Sequence, residues 1–295
     1  NTPMLDRILK YIIKRKGKQM RPMFVFLSAK LVGEINESTY RAAALVELLH
    51  TATLVHDDVV DESMERRGFF SINAIWKNKI AVLVGDYLLS KGLLLSTTNE
   101  DFMHLHILSE AVKQMSEGEL LQIEKSRKLN LDEDVYFEII RNKTASLLSS
   151  ACAVGAYSTG KDEQKTEKMK LFGQKVGIAF QIKDDLFDYG KEDVGKPTGN
   201  DIREKKLTLP LIYTLNNIDK NARRKIIYML KNENKNKESI NFIIESVIKA
   251  GGIKYAETKM NLYRDEALEI LYTFDASPVR SALEELVRFT TDRKY

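Results

Sequence analysis

The stretch LVHDDVVDES, residues 54–63, places three aspartates within a five-residue frame directly after an apolar helical run. In that run, from Ala44 to Val55, only Glu47, His50 and two threonines interrupt the apolar residues. Carboxylates this close together repel one another, and a cation placed among them relieves the repulsion. The stretch therefore predicts an apolar helix that ends in a cation-binding site.

A second stretch, FQIKDDLFDYG at residues 180–190, repeats this frame. The aspartates with matching spacing are Asp57, Asp58 and Asp61 in the first stretch and Asp184, Asp185 and Asp188 in the second. Positions i and i+4 of a helix lie on one face, so the first and last aspartate of each frame form a two-point oxygen grip. Carboxylate oxygens suit Mg²⁺, which keeps waters or phosphate oxygens as its other ligands. One such frame is more often a solvated helix end, but two predict a paired Mg²⁺ site.

The rest of the chain has the pattern of an all-α protein. No proline lies between Pro22 and Pro197, and apolar residues recur in this interval at helical spacing without a competing strand pattern. No linker or internal repeat divides the chain, so we predict a single domain over residues 1–295. The predicted helices are Ser38–Glu62 with Ser38 as its cap, Lys79–Ser96, Glu100–Ser126, Glu133–Ser158, Glu163–Asp188, and a last helix from a Ser277–Pro278 cap to about Thr290.

Composition limits the classes of partner and the compartment. The 295 residues are 43% hydrophobic and 30% charged, as in soluble globular proteins, and no stretch approaches the ~18 uncharged apolar residues of a membrane span. The first residues carry too many charges for a signal peptide, and the single cysteine, Cys152, fits a reducing compartment. The net charge of +4 comes from scattered lysines. We therefore expect a cytoplasmic protein with no transmembrane segment and no nucleic-acid partner.

Cationic side chains accompany both aspartate frames. Lys18 and Arg21 stand three residues apart at the predicted start of a helix, where free backbone N–H groups also favour an anion. The other cations are Arg66 and Arg67 after the first frame, Lys143 beside Thr144 in the middle of a helix, and Lys196 and Lys206 in the loop after the second frame. Carboxylates that hold Mg²⁺ and cations that hold phosphate together predict a site for diphosphate groups.

Six motifs in fixed order carry a resemblance to one family. They are GKQMRP, ELLHTATLVHDDVVDESMERRG, VGDYLLSKG, RNKTASLL, FGQKVGIAFQIKDDLFDYG and VGKPTGNDIREKKLTLP, which together run from Gly17 to Pro210. Through them the chain resembles the all-trans polyprenyl diphosphate synthases, the trans-isoprenyl diphosphate synthase family. This resemblance implies the isoprenoid synthase fold, a bundle of mostly antiparallel helices whose two aspartate clusters face each other across a deep central cavity.

The resemblance also implies roles for individual residues. Direct ligands of about three Mg²⁺ ions, bound together with a diphosphate, would include Asp57, Asp61 and Asp184, with Asp58, Asp185 and Asp188 assisting. Residues that match positions for isopentenyl diphosphate are Lys18, Arg21, His50 and Arg67. Residues that match positions around the allylic diphosphate are Arg66, Lys143, Thr144, Gln181, Lys196 and Lys206, with Lys143 and Lys196 also counted as catalytic. The family usually has glycine where this chain has Lys205, which leaves open whether Lys205 or Lys206 reaches the phosphate.

The activity implied is elongation of an allylic diphosphate, farnesyl or geranylgeranyl, by successive head-to-tail condensation with isopentenyl diphosphate in a homodimer. Ala52 and Thr53 lie five and four positions before Asp57, about one helical turn below it, and neither side chain is large enough to stop a growing chain. Short-chain members of the family tend to carry an aromatic residue there. The chain therefore looks most like long-chain members, such as octaprenyl diphosphate synthase, whose products become quinone side chains.

Other interpretations stay open at this point. A short-chain product, farnesyl or geranylgeranyl diphosphate, follows if larger residues deeper in the bundle, such as those in LLSKGLLLS at residues 88–96, stop growth. A non-catalytic partner subunit of a two-component synthase is a remote alternative, because such subunits tend to lose aspartates and this chain has all six. A terpene cyclase fits less well, since that class carries an Asn/Ser/Glu-type motif at its second metal site.

Overall fold

The structure is a computed structural model that describes residues 2–14, 17–66, 68–129, 132–190 and 199–292. It is built almost wholly of helices, so the all-α prediction is confirmed. The helices are α1 Pro3–Lys14, α2 Met20–Val32, α3 Glu37–Val60, α4 Ile72–Trp76, α5 Asn78–Thr98, α6 Phe102–Lys128, α7 Glu133–Ile140, α8 Ser146–Gly160, α9 Glu163–Phe187, α10 Asn200–Arg203, α11 Leu209–Asn217, α12 Lys220–Asn232, α13 Lys237–Lys249, α14 Gly252–Leu271 and α15 Pro278–Asp292.

The helix that carries the first aspartate frame begins earlier than the sequence suggested. Asn36, not Ser38, caps α3: its Oδ1 accepts from Thr39 N at 3.2 Å, and the Thr39 hydroxyl accepts from Asn36 N at 3.3 Å. A cap must lie just outside the helix and reach back to the first turn, which Ser38, already helical, does not do. The Ser38 hydroxyl instead donates to Asp101 Oδ1 at 3.0 Å. The predicted cap of the last helix is confirmed, because Ser277 Oγ accepts from Arg280 N at 3.2 Å.

Two local features interrupt the helical pattern. A hairpin of two short antiparallel strands, β1 Glu65–Arg66 and β2 Phe69–Phe70, follows the first aspartate frame. Strands of two residues are too short to show an alternating sequence pattern, which is why the sequence did not reveal them. The predicted helix Glu133–Ser158 is divided into α7 and α8 by a turn of π-helix at Arg141–Ala145, which contains Lys143 and Thr144.

The residues form two compact units. Unit 1 comprises Asn1–Val112 and Ser150–Glu167, and unit 2 comprises Lys113–Ser149 and Lys168–Tyr295. The first aspartate frame therefore belongs to unit 1 and the second to unit 2. The single-domain interpretation of the sequence stays a prediction.

The core of unit 1 lies around α3 and α5, which pack along each other. Ala52 and Val55 of α3 meet Ala81, Val84 and Leu88 of α5 in one buried cluster. Small residues let the helices approach closely: a Cβ on Gly92 of α5 would lie 2.9 Å from a methyl group of Leu45. Burial of each large side chain contributes roughly 1.5–3 kcal/mol, and this packing fixes the end of α3 where the aspartates lie.

The core of unit 2 centres on α11, which packs against α7, α13 and α14. Leu209, Leu211 and Ile212 of α11 are buried, and so are Ile178 and Ile182 of α9. Both isoleucines lie within two turns of the second aspartate frame on the same helix. Packing of α9 into this core therefore positions the frame at its end.

One helix in the described part of the chain, α5, is long and apolar enough by length and composition to cross a membrane. Its Ala81, Val84 and Leu88 are buried in the core of unit 1, as in a core helix, while Leu83 and Leu94 are exposed. The sequence-based expectation of no transmembrane segment stays a prediction.

Candidate active site

The first aspartate cluster lies at the carboxyl end of α3 in unit 1. Asp61 is the residue that ends the helix, and its N–H donates to the Asp57 carbonyl at 2.8 Å, so the two aspartates are one turn apart. Asp61 is exposed, Asp57 is half-buried and Asp58 is buried. A helix end also concentrates the partial negative charge of its last carbonyl groups, which adds to the attraction for a cation.

Asp58 is held by the hairpin that follows α3. Arg66 in β1 donates through Nε to Asp58 Oδ1 at 2.6 Å, and Asn73 Nδ2 donates to the Asp58 carbonyl at 3.1 Å. Burial raises the pKa of Asp58 above its ordinary value, and the hydrogen bond from Arg66 partly opposes this rise. Arg66, predicted to contact the allylic diphosphate, thus lies beside the first frame and orients its middle carboxylate.

Arg21 and His50, both predicted to contact isopentenyl diphosphate, meet in unit 1. Arg21 Nη1 lies 2.9 Å from His50 Nε2. A guanidinium can only donate, so His50 accepts through Nε2 and, when neutral, carries its proton on Nδ1. Lys18 is exposed and stands two residues before α2 rather than in its first turn, because Gln19, with φ 50°, precedes the helix.

A cavity of about 670 Å³ opens beside these residues within unit 1. Its wall includes Arg21, His50, Asp58 and Arg66 and is otherwise mainly apolar. Ala52 and Thr53, predicted to line the path of the growing chain, are not part of this wall. Ala52 is 2% exposed and packs against α5, and the Thr53 hydroxyl donates to the His50 carbonyl at 2.9 Å. Their role in chain length stays a prediction.

The second aspartate cluster lies at the end of α9 in unit 2. Asp188 follows the helix and accepts two backbone N–H groups, from Asn200 at 2.7 Å and from Asp201 at 3.1 Å. The chain thus returns to the cluster at α10 and adds a fourth carboxylate, Asp201. Burial, and then the nearby charge of Asp201, raise the pKa of Asp188 to about 6.

Asp185 is fixed by a chain of side-chain hydrogen bonds. The Tyr136 hydroxyl donates to Oδ2 at 2.7 Å, and Gln181 Nε2 donates to Oδ1 at 2.8 Å. Thr144 Oγ1 donates to Gln181 Oε1 at 2.8 Å and so orients the amide. Burial is the main reason that the pKa of Asp185 is raised, and the charge of Asp201 adds to it. Gln181 and Thr144, both predicted to surround the allylic diphosphate, are therefore brought together at the second cluster.

The π-helical turn at Arg141–Ala145 presents Lys143 as well as Thr144. Lys143 Nζ forms an ion pair with Glu119 of α6 and lies 3.5 Å from Gln122 Oε1. The turn can approach α6 because Gly118 has no side chain. A Cβ on Gly118 would lie 2.8 Å from the backbone nitrogen of Lys143. π-helical turns inside α-helices frequently occur at functional sites.

The structure separates the two candidate lysines after α10. Lys205 has φ 58°, the left-handed region that glycine enters without steric cost, which explains why a glycine suits this position. Its Nζ donates to the Lys231 carbonyl of α12 at 2.8 Å. Lys206 Nζ instead pairs with Glu204 at 2.5 Å. Which of the two lysines reaches a phosphate stays a prediction. Arg67 and Lys196, two further predicted contacts, lie outside the described residues.

The aspartate oxygens fit a divalent cation whose other ligands are waters or phosphate oxygens. Among the described residues, no group of three or more His, Cys, Asp or Glu side chains is arranged to hold a metal alone. The carboxylates of Asp58, Asp185 and Asp188 accept hydrogen bonds from other groups of the protein. Asp57, Asp61 and Asp184 are less buried. One or two carboxylates completed by waters or phosphate oxygens are the usual Mg²⁺ environment in phosphate sites. A cation would also reduce the repulsion that raises the pKa of Asp188.

Sequence reasoning missed two residues of the second cluster, Tyr136 and Asp201, and it missed Glu119, the ion-pair partner of Lys143. Tyr136 stands in the apolar run VYFEII, where a tyrosine is ordinarily a core residue, and Glu119 is one of many glutamates in α6. Asp201 did carry a signal, because it lies within GNDIREKK, a segment rich in charged residues directly after the second frame. Its position beside Asp188 becomes visible only when α10 folds back.

Comparison with known proteins gives one consistent result. Residues 2–247 match the polyprenyl synthetase family. The all-trans-nonaprenyl-diphosphate synthase (geranyl-diphosphate specific) of Rhodobacter capsulatus is 36% identical, over 97% of this chain and 88% of that protein. The geranylgeranyl diphosphate synthase of Saccharolobus solfataricus is 31% identical, over 100% of this chain and 92% of that protein. A polyprenyl synthase structure from Caulobacter crescentus, complexed with calcium and isoprenyl diphosphate, has a TM-score of 0.92 and 35% identity, covering 100% of this chain and 90% of that chain.

Proposed function

The chain belongs to the polyprenyl synthetase family and is a prenyltransferase, and from this premise we propose that it elongates farnesyl or geranylgeranyl diphosphate with isopentenyl diphosphate. One observation carries the proposal: two aspartate clusters, each at the end of a long helix, have cationic side chains held beside them. That combination suits a diphosphate leaving group, whose charge must be neutralised before its C–O bond breaks.

Family members generally depend on a divalent metal, and we propose Mg²⁺ for this chain. Bound Mg²⁺ would stabilise the charge that develops on the departing diphosphate oxygens, and Asp57, Asp61 and Asp184 would hold it. The protein donors on Asp58, Asp185 and Asp188 keep these carboxylates in fixed orientations. Fixed charges of this kind cost no reorganisation when the reaction occurs.

The cationic side chains would divide between two substrates. Lys143 and Lys206 would bind the allylic diphosphate, and Arg21 with His50 would bind isopentenyl diphosphate and orient its double bond. The double bond attacks the allylic carbon as the diphosphate leaves, a proton passes to the released diphosphate, and the chain is one isoprene unit longer. Repetition of this step gives a polyprenyl diphosphate.

We propose a long-chain all-trans product that serves quinone side chains. The similarity to a nonaprenyl-diphosphate synthase supports it. A short-chain product is the second candidate, supported by the similarity to a geranylgeranyl diphosphate synthase. A cytoplasmic location and a homodimer complete the proposal.

The test is turnover by the purified protein with farnesyl diphosphate, labelled isopentenyl diphosphate and Mg²⁺, with products separated by chromatography. We expect products longer than geranylgeranyl diphosphate, and none in EDTA. A main product no longer than geranylgeranyl diphosphate would favour the short-chain candidate. No consumption of isopentenyl diphosphate with any allylic primer would refute catalysis by the chain alone and favour a partner subunit.

A further inference from the structure

Helix α12 of unit 2 carries cationic side chains and no acidic ones. Its cationic residues are Lys220, Arg223, Arg224, Lys225 and Lys231, and all five are exposed. The net charge of the whole chain is +4, so the positive charge of this one helix exceeds that of the chain as a whole. None of the five side chains forms an ion pair with another described residue. Their charge therefore faces solvent.

Three of these cations and one aromatic ring lie along a single side of α12. We call this side the α12 basic face, formed with one residue per turn by Lys220, Arg224, Tyr228 and Lys231. Residues spaced by three or four positions are neighbours on one side of a helix. The opposite side buries Ile226 and Leu230 in the core of unit 2. The face thus consists of an exposed aromatic ring between cations.

The acidic residues that flank α12 are engaged at its two ends. Asp219 caps the helix, and its Oδ1 accepts from the N–H groups of Asn221 at 2.9 Å and Ala222 at 3.0 Å. Glu233, directly after the helix, accepts from the Ser239 hydroxyl of α13 at 2.5 Å. Neither carboxylate pairs with a cation of the α12 basic face. The face therefore presents a positive surface to a large anionic partner.

We propose that the α12 basic face docks the protein on a membrane surface that contains anionic phospholipids. Lys220, Arg224 and Lys231 would approach the headgroup phosphates, to which a cluster of cations is attracted. The Tyr228 ring would lie at the level of the headgroups, where an apolar ring and a polar hydroxyl both find partners. The choice of lipid rests on the proposed function, because a polyprenyl product is an apolar chain that a bilayer can accept.

The docking is electrostatic and superficial. The apolar side of α12 is buried in unit 2, so this helix cannot insert that side among acyl chains as a free amphipathic helix does. Binding therefore depends on the summed attraction of the exposed cations, with a smaller contribution from Tyr228. Salt screens such attraction, so affinity should fall steeply as the salt concentration rises.

The first experiment measures co-sedimentation of the whole protein with vesicles, without substrate or Mg²⁺. One vesicle is made of equal parts phosphatidylglycerol and phosphatidylcholine, the other of phosphatidylcholine alone. We expect binding to the anionic vesicle to be at least about tenfold tighter, and the difference to disappear at high KCl concentration. Equal binding to both vesicles would overturn the proposal. Tighter binding to duplex DNA at the same phosphate concentration would also overturn it, in favour of nucleic acid.

The second experiment compares two triple variants that change the net charge equally. The test variant combines Lys220→Gln, Arg224→Gln and Lys231→Gln. The control variant changes three exposed lysines outside α12, and it combines Lys161→Gln, Lys168→Gln and Lys254→Gln. We expect the test variant to bind the anionic vesicle at least about tenfold more weakly than the wild type, and the control to stay close to the wild type. Equal losses would show that net charge, not the α12 basic face, attracts the vesicle, and would overturn the proposal.

The contribution of the aromatic ring is tested by Tyr228→Ala, with Tyr40→Ala of unit 1 as the control. Both tyrosines are 57% exposed. We expect only Tyr228→Ala to weaken binding to the anionic vesicle, about threefold to tenfold, because an interfacial ring is lost. Equal affinities of the two variants would overturn the contact between Tyr228 and the bilayer.

Turnover in vesicle-free solution distinguishes this inference from the proposed function. A wild-type protein that elongates its substrate but does not bind the anionic vesicle would overturn the docking surface alone. A wild-type protein that binds the vesicle through α12 but does not elongate any allylic primer would uphold the docking surface and refute the proposed function.

Discussion

At the residue scale, buried carboxylates keep a useful orientation only where donors hold both oxygens. Asp185 and Asp188 illustrate this in unit 2: two side-chain donors hold the first, and two backbone N–H groups hold the second. An unsatisfied buried carboxylate would cost several kcal/mol or take up a proton. The donors are therefore as important to a metal site as the aspartates themselves.

Tyr136→Phe should weaken Mg²⁺ binding while leaving the fold intact. The substitution removes the hydroxyl that donates a hydrogen bond to Asp185, but it keeps the aromatic ring that packs in the core. Loss of an outer-shell partner typically costs about 10–100-fold in metal affinity, so we expect the Mg²⁺ concentration for half-maximal turnover to rise at least tenfold. Tyr189→Phe is the control, since Tyr189 is equally buried but its hydroxyl pairs with Thr208 at 2.6 Å. A similar Mg²⁺ requirement in both variants would contradict a role for Tyr136 in the second cluster.

Binding of Mg²⁺ should weaken as the pH falls through about 6. The pKa of Asp188 is raised to about 6, so below this pH the folded, metal-free protein carries a proton that a cation must displace. The raised pKa also means that protonation stabilises the fold of the metal-free protein at low pH and that this contribution is lost as the pH rises through 6. We expect a fixed concentration of Mg²⁺ to raise the Tm more at pH 7.5 than at pH 5.5, with KCl of equal ionic strength as the control. Equal increases at both values would show that this carboxylate does not couple to the metal.

At the element scale, the π-helical turn at Arg141–Ala145 is the feature that links a helix to a site. The extra residue in the turn places Lys143 towards Glu119 of α6 and Thr144 towards Gln181 of α9, two partners on different helices. Successive side chains of a helix point in directions about 100° apart, so adjacent residues can contact partners on two different helices. The turn depends on close approach to α6.

Gly118→Ala should disturb this turn. The added Cβ would lie 2.8 Å from the backbone nitrogen of Lys143, so the backbone of the turn must shift. We expect a loss of roughly 1–3 kcal/mol in the free energy of unfolding, as for other overpacked sites, together with a raised KM for the allylic diphosphate. Gly160→Ala is the control, because a Cβ there meets nothing within 4 Å. A stable Gly118→Ala protein with unchanged KM would show that the turn does not position Lys143 and Thr144.

At the scale of the whole molecule, α5 leaves an apolar face uncovered. Val82, Leu83, Leu93 and Leu94 are exposed although the opposite face of the same helix is buried in the core of unit 1. These four side chains recur at helical spacing and so lie on one side of α5. Exposed apolar side chains grouped on one side of a helix are typical of an interface, and a second copy of the chain is the partner that the family resemblance suggests.

We predict that this face joins two copies in a symmetric homodimer. Leu83→Glu combined with Leu94→Glu should give a monomer by light scattering at micromolar concentration, because buried unpaired carboxylates would oppose association. Tyr228→Glu on α12 is the control, since that side chain is exposed to a similar degree, 57%, but lies elsewhere. A wild-type monomer would refute the prediction, and a dimeric double variant would place the interface on another face.

The sequence by itself determined the helical elements and the chemistry of the candidate site. Helical spacing, the Ser277 cap and the two aspartate frames depend on residues within about four positions of one another, so they are legible without the fold. The wrong cap predicted for α3 has a related cause. Asn36 and Ser38 are both suitable capping residues, and only the backbone conformation of the first turn shows that Asn36 is the cap.

Only the tertiary structure decided which groups meet. The pairs Arg21 with His50, Asp58 with Arg66, Tyr136 with Asp185, and Asp188 with the start of α10 join residues 8 to 49 positions apart. Such contacts depend on how helices pack and where the chain folds back, which local pattern does not encode. The same holds for the pKa values of Asp58, Asp185 and Asp188, because burial, their main cause, is a property of the packed molecule.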